Sequence, residues 1–591
     1  MNKILLHSLL PALLLTGCVT KQVTAPDVLA RPPESRPIQE QKTEALTPAS
    51  RPPAQTQSNA PDTPVDVAGL LDGPANEPSA AVARGGAPGA MRLRAQEYYA
   101  TPAPPPAWQP PASASGEGYT RYADNTVQIT AQNPVSTFGL DVDTGSYSNV
   151  RRFLNQGQLP PRDAVRVEEL LNYFTYDFPA PDRGTPFAVR TELGAAPWNQ
   201  QHLLLRVGVK AVSQSTAAMP PANLVFLVDV SGSMDEADKL PLVRNGLKLL
   251  ASQLRPQDHV SLVVYAGDTE VLLPSTGGDD KAAIYAAIDR LQAGGSTNGQ
   301  AGIDLAYQQA RRGFVQGGIN RILLATDGDF NVGVTDIEQL KALIARSRKT
   351  GISLTTLGVG QGNYQEPVMQ QLADVGDGNY AYLDSLDEAR KVLLEQLSST
   401  LNTVAADVKL QMEFNPRVVK EWRLIGYEKR ALREEDFRND RVDAGEVGAG
   451  KSVVALYELT PVATHHERRY SDNKAGGESG ELAYLKIRYK TPDHSRVAEM
   501  QRVIQTSGYG APGPDWRFAA AVAGFGELLR GGDTMGNWGW QDVKTLAQQG
   551  VGHDVGGYRQ DFVRLVDLAA AIAPAAPQVS EVTPPSGWGR E

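Results

Sequence analysis

Two aspartates and three hydroxyl side chains stand in three short segments, two of which follow apolar runs while the third lies at a loop-to-helix junction. Asp229, Ser231 and Ser233 form the pattern D-x-S-x-S at the end of the apolar segment NLVFLVDV. Thr297 stands in GGSTNGQAGID, and Asp327 stands in LLATDGDFNVG. All five side chains offer oxygen, and none offers sulfur or imidazole. Such a set suits a hard divalent cation, Mg²⁺, Mn²⁺ or Ca²⁺, rather than Zn²⁺.

The charge of this set predicts an incomplete coordination shell. Two carboxylates only just balance a divalent cation, while Mg²⁺ needs about six oxygens at about 2.0–2.1 Å. A carboxylate from another molecule would fill the open position, so the residues predict a docking site for an acidic residue of a protein partner. The alternative is a metal-free turn, since Ser and Asp favour helix N-termini. A metal-free turn would explain the residues of one segment, but not why three such segments end at the same edge of a sheet.

The elements around these residues indicate an α/β fold. From residue 223 to about residue 400, the apolar strands NLVFLVDV, HVSLVVYAG, RILLATDG and ISLTTLGVG alternate with amphipathic helices. Val- and Leu-rich strands with helical crossovers predict a mainly parallel, Rossmann-like sheet with helices on both faces. Ligand sites form at the carboxyl edge of such sheets, and all three segments end there.

The segments flanking the α/β block alternate with period two, which is typical of strands. They suggest a β-sandwich into which the α/β domain is inserted, or which flanks it, followed by a helical region. The predicted division is a lipoprotein signal peptide over 1–17, a disordered Pro-rich tether over 18–118, an N-terminal α+β flanking domain over 119–221, the α/β domain over 222–400, a β-rich flanking domain over 401–505, a C-terminal helical region over 506–575 and a loose tail over 576–591.

The N-terminus predicts export and lipidation. Lys3 precedes an apolar stretch that is too short to cross a bilayer as a helix, which is typical of a secretory signal. Leu15-Thr16-Gly17-Cys18 resembles the bacterial lipobox, and Cys18 is the only cysteine in the chain. We therefore expect a lipid anchor on Cys18 and a place in the cell envelope. Val19 favours the outer membrane, with the domains facing the periplasm or the cell exterior.

Two motifs suggest other chemistry and are better explained without it. Residues 445–452, GEVGAGKS, fit the phosphate-binding template G-x-x-x-x-G-K-[ST], but a charged segment precedes them and a strand-like one follows. A phosphate-binding loop needs a strand before it and a helix after it, so we expect a Gly-rich turn and no nucleotide. VDTGSYSN, around Asp143, resembles an aspartic protease loop, but the chain has no second D-[ST]-G. The net charge of −10 argues against nucleic acid as a partner.

Residues 222 to about 398 resemble a von Willebrand factor type A domain, and the five oxygen donors match its metal-ion-dependent adhesion site one for one. The resemblance implies that Asp229, Ser231, Ser233 and Thr297 bind the metal directly or nearly so, with Asp327 acting through a bridging water. The flanks NPVSTFGLDVDTGSYSNVRRFLNQGQLPPRDAVRVEELLNYF and DAGEVGAGKSVVALYEL resemble bacterial YfbK-type lipoproteins.

These observations together predict a protein that is not an enzyme. We expect a metal-dependent protein-binding module on a lipid-anchored envelope protein. One alternative is a structural or assembly factor whose metal site is not essential. Another is an envelope hydrolase, but the motif offers its serines no neighbouring histidine as a base.

Overall fold

The computed structural model describes residues 116–140, 142–328, 337–462, 480–507 and 510–573. The predicted signal peptide, the lipidation of Cys18 and the tail over 576–591 lie outside these ranges. Within the described ranges, no helix combines the length and the apolar character needed to cross a bilayer.

The described ranges contain seventeen strands and twelve α-helices. The strands are β1 (Gln128–Ile129), β2 (Val135–Gly139), β3 (Phe187–Ala196), β4 (Asn199–Ala211), β5 (Ala222–Asp229), β6 (His259–Tyr265), β7 (Thr269–Gly277), β8 (Ile319–Thr326), β9 (Ser353–Val359), β10 (Tyr380–Leu383), β11 (Thr403–Phe414), β12 (Val419–Ile425), β13 (Ala431–Leu432), β14 (Val447–Gly448), β15 (Ser452–Pro461), β16 (Glu481–Lys490) and β17 (Val497–Gln505). The helices are α1 (Gly145–Asn155), α2 (Val167–Asn172), α3 (Leu240–Gln253), α4 (Lys281–Asp289), α5 (Gly299–Arg312), α6 (Ile337–Arg348), α7 (Glu366–Val375), α8 (Leu386–Arg390), α9 (Leu397–Leu401), α10 (Pro514–Leu529), α11 (Trp540–Gly550) and α12 (Tyr558–Ile572).

A six-stranded sheet in the order β10-β9-β8-β5-β6-β7 forms the centre of the α/β part. Neighbouring strands are parallel except β7, which runs antiparallel to β6. Every residue of β5 and β8 is buried. Alternate side chains of β5 enter opposite cores: Phe226 packs into the core that contains residues of α3, and Leu227 into the core that contains residues of α5. The prediction of a mainly parallel sheet covered on both faces is therefore confirmed.

Two strands of this sheet were not predicted. β7 is an edge strand with mixed exposure and contains Pro274. β10 has only four residues, too few to show a periodic pattern. Both lie at the ends of the sheet, away from the strands that position the candidate site.

The segments before and after the α/β part fold together into two packed sheets. One sheet has the order β1-β12-β15-β4-β3, and the other has the order β13-β2-β11-β16-β17, with β14 paired to β11. Phe138 of β2 pairs with Leu410 of β11, and Arg206 of β4 pairs with Leu456 of β15. A single apolar core between the sheets holds residues from both segments. The predicted sandwich with an inserted α/β domain describes this arrangement.

The C-terminal helices pack on helices near the N-terminal end of the described chain. Phe518 of α10 and Phe562 of α12 meet Phe174, which follows α2, with ring centroids 4.8 and 5.7 Å from that of Phe174. The same core contains Val454 and Leu456 of β15. A C-terminal helical region was predicted, and its packing joins it to the sandwich.

Candidate metal centre

Strands β5 and β8 place Asp229 and Asp327 at one edge of the sheet. Both strands are apolar and buried, and they run parallel, with Val228 opposite Ala325. Asp229 ends β5, and Asp327 follows the last residue of β8, Thr326. The Thr326 hydroxyl donates a hydrogen bond to Asp229 Oδ2 over 2.8 Å. The register of two buried strands therefore brings the two carboxylates together.

The turn after β5 positions the two serines. The Ser231 N–H donates to Asp229 Oδ1 over 2.9 Å, which folds the chain back over the carboxylate. The hydroxyl oxygens of Ser231 and Ser233 lie 3.1 Å apart. Ser231 is buried, whereas Ser233 is partly accessible. The D-x-S-x-S pattern thus presents one carboxylate and two hydroxyls from a single turn.

The loop that carries Thr297 is tied to this turn by backbone hydrogen bonds. The Gly294 N–H donates to the Val230 carbonyl over 2.8 Å, and the Gly232 N–H donates to the Gly295 carbonyl over 3.0 Å. Thr297 is buried and precedes Asn298, which caps the N-terminus of α5. The structure therefore brings the Thr297 loop to the same edge as the serines.

Asp327 is buried and held by two side chains that the sequence did not indicate. Its Oδ2 accepts hydrogen bonds from Lys239 Nζ over 3.3 Å and from Asn363 Nδ2 over 3.0 Å. Lys239 Nζ also donates to the Ser233 carbonyl over 2.9 Å and to Asn363 Oδ1 over 3.1 Å. Lys239 itself is buried. One ammonium therefore joins the carboxylate of Asp327 to the turn that carries the serines.

Burial makes the negative charge of Asp229 unfavourable. The pKa of Asp229 is raised from 3.8 to about 6, mainly by desolvation. Hydrogen bonds from Ser231 and Thr326 oppose this rise, and the nearby charge of Asp327 adds to it. A cation beside this carboxylate would relieve the cost of its charge. Without a cation, the surrounding protein groups leave most of this cost in place.

The donor set fits a hard divalent cation. It consists of two carboxylates and three hydroxyls, all oxygen ligands of the kind that Mg²⁺ and Ca²⁺ prefer. Within the described ranges, no group of three or more His, Cys, Asp or Glu side chains is placed to hold a metal ion. The candidate centre is of a different kind, because three of its five oxygen donors are hydroxyl groups.

The other two motifs have structural explanations. Val447 and Gly448 form β14, and the strand β15 begins at Ser452, where a phosphate-binding loop would need a helix. A Cβ atom on Gly448 would lie 1.9 Å from the Ser399 carbonyl oxygen, so the glycine allows two backbones to pack closely. Lys451 Nζ donates to Gln396 Oε1 over 2.8 Å. These contacts agree with the predicted Gly-rich turn.

Asp143 belongs to a network of ion pairs. It accepts the Tyr380 N–H over 3.0 Å and lies 3.2 Å from Arg430 and 3.6 Å from Lys429. Arg430 also pairs with Asp374 of α7 over 2.8 Å. Asp143 thus connects the segment before α1 to the α/β part.

Comparison with known proteins assigns families to most of the described chain. Residues 223–398 match the family described as von Willebrand factor type A domain, and residues 399–572 match the one described as uncharacterized protein YfbK, C-terminal. Residues 113–206 match a family described as von Willebrand factor. A von Willebrand factor type A domain is commonly a protein-interaction module.

Individual proteins are also similar to this chain. The chain is 51% identical to uncharacterized protein YfbK of Escherichia coli (strain K12) over 467 residues, which cover 77% of this chain and 81% of that protein. It is 27% identical to uncharacterized protein sll0103 of Synechocystis over 38% of this chain and 51% of that protein. A solved structure, von Willebrand factor type A from Catenulispora acidiphila, aligns with 16% identity and a TM-score of 0.39 over 64% of this chain and 89% of that chain. Given the identity and coverage of the first match, this chain belongs to the YfbK family of proteins with a von Willebrand factor type A domain.

Proposed function

We propose that the chain binds a divalent cation at Asp229, Ser231, Ser233, Thr297 and Asp327, and that a carboxylate of a protein partner completes the coordination. Mg²⁺ is the favoured cation, with Mn²⁺ or Ca²⁺ as alternatives. The observation that carries this proposal is the meeting of three loops at one sheet edge around a buried Asp229 with a raised pKa.

The charges of the centre favour an acidic ligand. Lys239 pairs with Asp327, so one of the two carboxylates is already partly neutralised. Two carboxylates, one ammonium and one divalent cation together carry a net positive charge. A negatively charged side chain of a partner would be attracted to it, since buried charges interact strongly with their neighbours.

The described contacts of the serines favour binding over catalysis. The Ser231 and Ser233 hydroxyls lie 3.1 Å apart, and Lys239 Nζ donates to the Ser233 carbonyl rather than to a hydroxyl. The described hydrogen bonds of the two hydroxyls include neither a histidine nor a lysine. A serine nucleophile needs an adjacent base within hydrogen-bond reach. We therefore propose a binding module without a catalytic step of its own.

The N-terminal sequence supplies the proposed location. A lipid on Cys18 and the Pro-rich segment after it would hold the folded part at the cell envelope, with the outer membrane favoured by Val19. The partner would then be a protein of the envelope that presents an acidic residue.

Capture from envelope extract tests this function. We expect the wild-type protein to retain a specific partner in millimolar Mg²⁺ and to lose it in EDTA, and we expect Asp229→Ala to lose it in both. Asp235→Ala is the matched control, because Asp235 is an exposed acid of the same turn. Equal capture by all three proteins with and without EDTA would contradict the proposal.

A further inference from the structure

The first described residues lie against the loop between β9 and α7. The Gly118 N–H donates to the Tyr364 carbonyl over 3.0 Å, and Gln365 Nε2 donates to the Gly116 carbonyl over 2.8 Å. The Gly362 N–H donates to Glu117 Oε1 over 2.8 Å. Residues 116–118 are thus hydrogen-bonded along the loop 360–365, although the sequence placed them in the tether.

Glu117 fixes this segment through a second set of contacts. Its other carboxylate oxygen lies 2.8 Å from Arg152 Nη2 of α1 and accepts the Tyr119 hydroxyl over 2.7 Å. The side chain is 2% exposed. A buried carboxylate is costly to leave unpaired, so these partners hold Glu117 in one position.

The loop that Glu117 contacts also supports the metal centre. Asn363, next to Gly362, donates to Asp327 Oδ2 over 3.0 Å and accepts from Lys239 Nζ over 3.1 Å. Gly328 follows Asp327 with φ of 83°, and a Cβ atom there would lie 3.2 Å from the Gln365 nitrogen. The loop therefore meets Asp327 through the Asn363 amide and through close backbone packing.

From these contacts we infer that Glu117 is a positioning residue of the metal centre, acting through Gly362 and Asn363 on Asp327. Residues 116–118 thereby couple the end of the predicted tether to the affinity of the centre for its cation. The inference rests on the proposed function, because it concerns the regulation of the same site. Groups that orient the ligands of a metal typically change its affinity by about 10- to 100-fold when they are removed. Glu117 acts one contact further out, so we expect an effect near the lower end.

Isothermal titration of the full chain with Mn²⁺ tests the inference. We expect Glu117→Ala to weaken Mn²⁺ binding by about tenfold. Glu117→Gln keeps an oxygen for the Gly362 N–H but loses the acceptor for Arg152, so it should restore part of the affinity and bind more tightly than Glu117→Ala. Glu435→Ala is the control, since Glu435 is an exposed acid whose side chain is 76% accessible, and it should bind as the wild type does.

The outcomes separate the inference from the function on which it rests. Unchanged affinity in Glu117→Ala, or equal weakening in Glu117→Gln, overturns the role of the Gly362 hydrogen bond. If Glu117→Ala does not fold, as shown by its circular dichroism, Glu117→Gln and Asn363→Ala are compared with the wild type instead. Asn363→Ala must weaken Mn²⁺ binding by at least about tenfold, and Glu117→Gln by a smaller factor. Unchanged affinity in either variant overturns the inference. A wild-type protein that binds no Mn²⁺ refutes the proposed function, and the inference with it.

Discussion

Replacement of Asp229 by asparagine is expected to stabilise the metal-free protein while abolishing its response to Mg²⁺. The substitution removes a buried charge and keeps nearly the same shape. The new amide oxygen can still accept the Ser231 N–H, and the new amide N–H can donate to the Thr326 hydroxyl, which also accepts the Gly328 N–H. These two hydrogen bonds of Asp229 therefore have a replacement.

The magnitude follows from the raised pKa of Asp229. The difference between about 6 in the folded protein and 3.8 corresponds to a cost of about 3 kcal/mol for the ionised side chain at pH 7. Reversal of one hydrogen bond offsets about 1 kcal/mol of this. The metal-free Asp229→Asn variant should thus be about 2 kcal/mol more stable than the metal-free wild type. For a domain of the size of the α/β part, this difference raises the melting temperature by about 4–8 °C.

The sign of the pH dependence provides a second check. Because the folded protein holds the proton of Asp229 more tightly than the unfolded chain does, the metal-free wild type loses stability as the pH rises from about 4 to about 6. The gain from Asp229→Asn should therefore reach its full size of about 2 kcal/mol near pH 7 and vanish at about pH 4.5, where the cost of the charge equals the hydrogen-bond term. At lower pH the variant should be less stable than the wild type by about 1 kcal/mol.

Thermal unfolding in EDTA and in Mg²⁺, followed by circular dichroism, measures both effects. Mg²⁺ at about 100 times its dissociation constant should stabilise the wild type by about 2.7 kcal/mol and leave Asp229→Asn unchanged. Asp235→Asn, at an exposed position of the same turn, should behave as the wild type does. The reasoning is refuted if the metal-free Asp229→Asn protein is less stable than the wild type at pH 7, or if Mg²⁺ stabilises both equally.

Two further substitutions test the surroundings of the centre and the Gly-rich turn. Lys239→Met removes a buried ammonium that repels the cation, and this gain should outweigh the loss of its hydrogen bonds to Asp327 and to the Ser233 carbonyl. Calorimetry should therefore show cation binding about tenfold tighter, while Lys248→Met, on the exposed side of α3, should change nothing. Binding unchanged or weakened in Lys239→Met would contradict this. Gly448→Ala forces a methyl group into a backbone carbonyl and should cost about 3 kcal/mol or more in the free energy of unfolding, whereas Gly510→Ala meets open space. Equal stability of the two alanine variants in denaturant titrations would show that the turn is not packed as described.

The sequence indicated the oxygen donors because a simple rule applies to them. Asp229 and Asp327 each stand at the end of an apolar run, and parallel strands end at one edge of a sheet. Asn363 follows β9 at the same edge, so the rule applies to it as well. The loop also contains Gln361 and Gln365, however, and only the folded backbone decides which of these polar side chains reaches Asp327.

Lys239 could not be found in this way. Its charge predicts an exposed side chain, since lysine is seldom fully buried unless paired. The pairing with Asp327 joins residues 88 positions apart and depends on the path of the turn after β5.

In the sandwich, the strands could be predicted from the sequence, but the pairing between them could not. Period-two alternation predicted strands before and after the α/β part, but alternation does not specify which strands pair. The pairing of Phe138 with Leu410 closes a separation of more than 250 residues, and the shared apolar core determines it. Burial of one face of each strand fixes the register once the two segments meet.

Anomalous diffraction from crystals grown in millimolar Mn²⁺ tests the central claim most directly. If this sheet edge holds a divalent cation, an anomalous peak should lie within about 2–2.5 Å of oxygen atoms of Asp229, Ser231 and Ser233. Thr297 should face the same ion. Well-ordered side chains at this edge with no anomalous peak among them would contradict the account.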